Sequence, residues 1–165
     1  MSAKSNLTNW SARAVNPPKL TDQQWGTVGI AGVVLIIMAI CQIVSFNDFT
    51  DVLSGLGLSG PNVWAAIIIV AELWGSAMFF KIRLSSAFRM VSAIAAFLAS
   101  SFWFIMNINL VSDGLSSSAQ NSGYFGRYLA QSPSWWTVIE ATILLLWVLY
   151  NLDLMRGSLV FRLRK

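Results

Sequence analysis

The sequence predicts an all-α integral membrane protein, a four-helix bundle with both termini cytoplasmic. Three observations carry that reading. Four apolar runs, at about 26–45, 63–80, 90–111 and 135–154, each come close to the ~20 residues that cross ~30 Å of hydrocarbon. Only 11% of residues are charged and 56% are hydrophobic, whereas soluble domains carry about 25% charged residues. The basic residues are also one-sided. Lys4, Arg13, Lys19, Lys81, Arg83, Arg89, Arg156, Arg162, Arg164 and Lys165 fall on one face under this topology, and Arg127 alone falls on the other. That bias orients a membrane protein with its basic loops inside.

Taken in order, residues 1–24 read as a polar cytoplasmic tail containing Pro17-Pro18. They are too long and too polar for the charged start of a signal peptide. Leu7 and Trp10 lie three residues apart, so a short surface helix there is an expectation. Residues 25–154 form the membrane domain. Trp25 opens the first span at an interface position. The connection Phe46–Asn62 reads as an outer loop, with Gly55, Gly57, Gly60 and Pro61 as helix breakers. Trp64 stands at the outer end of the second span. The segment KIRLSSAFR makes a short basic loop before the third. Ser112–Ser134 reads as a long outer connection rich in Ser and Gly, expected to be mobile or docked on a partner. Trp135-Trp136 lead into the fourth span, and residues 155–165 form a basic cytoplasmic tail.

Composition excludes several functions. The mean hydropathy of +0.63 belongs to a membrane protein. The net charge of +4 is explained by topology, not by nucleic acid, because the cations flank the spans. With no His, the commonest metal ligand and proton shuttle is missing, and no metal site is expected. A lone Cys41 allows no intrachain disulfide or CxxC pair. No phosphate loop, metal-ligand spacing or nucleophile elbow is present, so no catalytic residue is assigned.

What remains is polar chemistry inside the spans. Glu72 interrupts the apolar run Ala66–Phe80 near mid-membrane, where an ionisable group costs at least ~2.5 kcal/mol. Gln42, Asn107, Asn109 and Glu140 lie in the outer halves of the other three spans. These five side chains are the candidates for binding a proton, a small solute or a quinone head group. The competing reading is helix–helix glue, since polar side chains bond across membrane bundles for ~0.6 kcal/mol on average. Gly75 shares a helix face with Glu72 and would admit a close neighbouring helix. Trp25, Trp64, Trp135 and Trp136 fit interface belts. Trp74, Trp103 and Trp147 lie deeper and need an indole partner or a packed slot.

Three stretches resemble the DoxX-like family, including its MauE branch of methylamine-utilisation membrane proteins. GLGLSGPNVWAA is similar to the family's approach to its second helix. AELWGSAMFF resembles its Glu-x-x-Gly helix, with Glu72 and Gly75 at the matching positions. SGYFGRYLAQSPSWWTVIEATILLLW resembles the stretch before the last span, where a Cys-Gly-Cys-Phe-Gly motif is common. Here it reads Ser122-Gly123-Tyr124-Phe125-Gly126. The resemblance covers roughly Gly26 to Leu154. It implies a four-helix scaffold in the bacterial inner membrane and an association with membrane redox systems such as quinol oxidation, which makes a quinone the candidate cofactor although no residues identify one. Members carrying the cysteine pair are linked to thiol–disulfide handling; with Ser122 and Tyr124 in those places this chain lacks that chemistry.

Two functions follow as expectations. The first is a non-catalytic accessory or scaffold for a membrane redox or maturation system, embedded in lipid beside another membrane protein or a second copy of itself. The second is a small proton-coupled transporter using Glu72 and Glu140.

Overall fold

The computed structural model describes residues 14–112, 124–125, 128 and 131–159. The expected surface helix at Leu7–Trp10 and most of the Ser112–Ser134 connection lie outside them. Five helices account for the architecture: α1 (Asp22–Val44), α2 (Phe46–Gly55), α3 (Pro61–Ser76, prolonged by a 3-10 turn Ala77–Phe79), α4 (Ser86–Ser112) and α5 (Trp135–Leu159). Four of them are long and apolar enough to cross a membrane, so the protein is an all-α, multi-pass membrane bundle.

Local chemistry sets the ends. Thr21 and Gln24 form a reciprocal capping box at the start of α1, which satisfies orphan donors there. The helix therefore begins at Asp22, inside the stretch read as tail. Gly60 caps α3 at φ 72°, a left-handed conformation that glycine reaches without strain, and Pro61 takes the first helical position, where its missing N–H is harmless. Ala14–Val15 pairs antiparallel with Leu84–Ser85, tying the end of the tail to the connection between α3 and α4. Lys81 places its ammonium 5.8 Å from the Trp25 ring centre at that same end.

Two expectations are corrected. Phe46–Asn62 is not simply a loop, because its first ten residues form α2. Phe46, Phe49 and Leu53 recur at helical spacing, and Phe49 and Leu53 are fully buried. The glycines all come at or after Gly55, so they terminate this helix without preventing it. Arg89 does not belong to a loop either. It sits in the first turns of α4, fully buried, and donates to the Ile82 carbonyl at 2.7 Å. The buried guanidinium thus fastens the inter-span turn to the helix that follows.

The long helices form a ring in the order α1, α3, α4, α5. Packing is extensive along α1–α3, α3–α4 and α4–α5, and sparse along the closing α5–α1 seam. Helices α3 and α4 approach closely at Gly75 of α3. A Cβ there would stand 2.6 Å from the Ala96 backbone nitrogen and 2.7 Å from its Cα. Only glycine lets α3 and α4 meet at this distance. Outward faces are apolar, with Ile30, Ile67, Leu98 and Leu146 all more than half exposed. Such a surface suits lipid, which is the solvent these helices require.

Candidate functional site

Glu72 lies eleven residues after Pro61, about 16 Å along α3, and is fully buried. Its Oε1 accepts two hydrogen bonds. One comes from the Trp103 indole Nε1 on α4 at 2.7 Å, the other from Gln42 Nε2 on α1 at 3.2 Å. Three helices thus converge on one carboxyl oxygen. Gln42 also donates to the Tyr124 carbonyl at 3.1 Å, which brings the segment before α5 into the same knot. Tyr124 in turn donates its hydroxyl to the Thr137 carbonyl on α5 at 3.2 Å.

Aromatic rings close the knot. Trp103 has its ring centre 4.9 Å from Tyr124, 5.3 Å from Phe102 and 6.0 Å from Phe49 of α2. Gln42, Glu72, Trp103 and Asn107 each have no exposed surface. In so apolar an enclosure every unmade polar contact is costly. Yet among the described residues Glu72 Oε2, Gln42 Oε1 and Asn107 Oδ1 accept no bond. Asn107 reaches only back along its own helix, donating to the Trp103 carbonyl at 2.9 Å, so it braces Trp103 without touching Glu72.

The remaining candidates fall elsewhere. Asn109 is exposed and takes no part, because two residues on from Asn107 lies about 200° around a 3.6-residue helix. Glu140 does not join Glu72. It is half-buried and lines a separate cavity of about 250 Å³ at the α1–α5 seam, with Val34, Met38, Tyr124, Phe125, Gln131, Ile143, Leu144 and Trp147. Tyr124 is the partition between the two places, contributing its carbonyl to one and lining the other. Burial, followed by the nearby charge of Glu140, pushes the Tyr124 phenol above its ordinary range.

Of the deep tryptophans, Trp103 has the indole partner its position calls for and Trp147 lines the cavity. Trp74 is 42% exposed and stacks on Phe88 at 5.5 Å, so it occupies no packed interior slot. Tyr124 was not singled out as a site residue from sequence. Its only signal is its place in the Ser-Gly-Tyr-Phe-Gly motif. Elsewhere in the bundle, Ser92 and Asn151 are fully buried polar residues of α4 and α5, with Asn151 donating to the Trp147 carbonyl at 2.8 Å.

No protein-family model matches the chain, and neither a curated protein nor a solved structure matches it.

Proposed function

We propose that this chain is a non-catalytic accessory or scaffold protein of a membrane redox or maturation system, similar to the DoxX-like and MauE-like proteins. It would sit in a bacterial inner membrane with both termini cytoplasmic, beside another membrane protein or a second copy. The observation that carries this reading is the use made of Glu72. Its carboxyl pins α1, α3 and α4 together through Gln42 and Trp103 in a fully buried position. An intramembrane acid employed as a joint belongs to a rigid framework. Tyr124 supports the same reading, because where related-looking sequences carry a motif cysteine this chain has a ring packed on Trp103.

Chromosomal replacement tests the proposal. Deletion is expected to lower the abundance or activity of a membrane redox partner that copurifies in mild detergent. Glu72→Gln restores it and Glu72→Leu does not. A second reading, the proton-coupled carrier, draws on the unpartnered Glu72 Oε2. It requires Glu72→Gln to assemble normally and yet abolish function. Orientation has its own test. In a Cys41→Ser background, Ser59→Cys is expected to label from outside and Arg83→Cys from inside, both positions being exposed. The opposite pattern would invert the topology.

A further inference from the structure

The α1–α5 cavity is unlike the rest of the molecule's surface. It lies at the one seam of the helix ring where packing is sparse. Apart from Tyr124, Gln131 and Glu140 its walls are apolar, from Val34 and Met38 on α1 to Ile143, Leu144 and Trp147 on α5. At one end stands the Glu140 carboxylate. Trp147 is seven residues further along α5, about 10 Å. Along α5 the lining therefore runs from an acidic residue to an apolar one, and Ile143 between them is 59% exposed. Among the described residues no cation or hydrogen-bond donor is paired with Glu140. Its volume of about 250 Å³ is below the ~300–1,000 Å³ of sites that enclose a drug-sized ligand. It would seat a head group and the first part of one chain, leaving the remainder in the bilayer.

A cleft between α3 and α4 gives the contrast. It is lined by Ala66, Ile67, Val70, Ala71, Trp74, Val91 and Ala95, with no charge. Lipid chains suit it without selection. The α1–α5 cavity adds a buried-edge anion, and a charge in apolar surroundings discriminates strongly between head groups.

The geometry points to a binding site for a single-chain cationic amphiphile, a membrane-soluble primary amine whose ammonium meets Glu140 and whose chain lies along Ile143, Leu144 and Trp147. The ammonium supplies the donors that Glu140 lacks among the described residues, and the chain replaces lipid in a slot the helices leave open. The site stands apart from the Glu72 joint and does not depend on the scaffold reading.

The test uses the full chain in an uncharged maltoside detergent at neutral pH, with dodecylamine, dodecanol and dodecyl sulfate as probes of equal chain length. Net charge works against the expected result, since a chain of +4 attracts anions. Dodecylamine is expected to bind saturably, one per chain. Glu140→Gln is expected to weaken it about tenfold to a hundredfold, the worth of a charge-assisted bond. Ile143→Trp, at the lip of the cavity, is expected to block it while thermal unfolding and helix content stay unchanged. Dodecanol should bind far more weakly and dodecyl sulfate should not compete. Equal binding of amine and alcohol, equal binding by wild type and Glu140→Gln, or no saturable binding would each overturn the assignment.

Discussion

Two carboxyls lie in the same bundle and are treated oppositely. Glu72 has no exposed surface and accepts from two nitrogen donors on two other helices. Glu140 is half-buried, lines an open-sided cavity and is paired with no donor among the described residues. Both cost the chain something on entering a membrane. Glu72 recovers part of the cost inside the fold through Oε1, whereas Glu140 faces a slot with no donor on it among the described residues. The difference teaches that an intramembrane acid is not read from its depth alone. Its donors decide whether it is a joint or a receptor.

The joint and its surroundings are where substitutions should hurt most. Gly75→Ala puts a methyl group against the Ala96 backbone, and a backbone cannot step aside as a flexible side chain would. A loss of about 1–3 kcal/mol is expected for such overpacking, measured by unfolding in mixed detergent. An unaffected variant would show that α3 and α4 are not in the close contact described. Next comes Glu72→Leu, which strands the indole of Trp103 without an acceptor and leaves the amide of Gln42 only the Tyr124 carbonyl. Its expected cost is ~1–2 kcal/mol. Glu72→Gln keeps a carbonyl oxygen in place and should lie within ~1 kcal/mol of wild type, the scale of one membrane hydrogen bond. If the two variants proved equally stable, the joint would lose its meaning. At the other extreme, Glu140→Gln and Asn109→Ala break no side-chain hydrogen bond or ion pair among the described residues. Both should stay within about 0.5 kcal/mol of wild type, and a large loss from Glu140→Gln would place it among the structural groups.

The contrast between the two acids was only partly legible in the sequence. Four spans were legible, because an apolar run of about twenty residues matches the thickness of a bilayer. Depth makes Gln42 and Glu72 candidates alike, but depth carries no rotation and does not show that they meet. Asn107 and Asn109 sit at nearly one depth and point to nearly opposite sides of α4. Glu140 was grouped with Glu72 for the same reason. Helix α5 is apolar around much of its circumference, so no polar stripe announced which side faced the core. Gly75 was readable because a small residue one turn from a buried acid implies a close neighbour. Helix α2 is hidden in the sequence because the glycines after it mask the Phe46, Phe49 and Leu53 spacing. Arg89 reads as a loop charge, and nothing in one sequence shows that a guanidinium will cap its own preceding turn. Tyr124 could not be foreseen as a partition, since loop residues carry no periodicity to place them.

The most direct test of the Glu72 joint reads the proton that makes it. Nitrogen-15 labelling of the eight tryptophans gives one indole N–H signal each, and Trp103→Phe identifies that of Trp103. Buried and bonded to Glu72 at 2.7 Å, this proton should exchange with solvent far more slowly than those of Trp135 and Trp136, which are 67% and 60% exposed. Glu72→Leu should shift its resonance, and Glu140→Gln should not. A Trp103 indole that exchanges as fast as those of Trp135 and Trp136, or that is indifferent to Glu72→Leu, would contradict the joint.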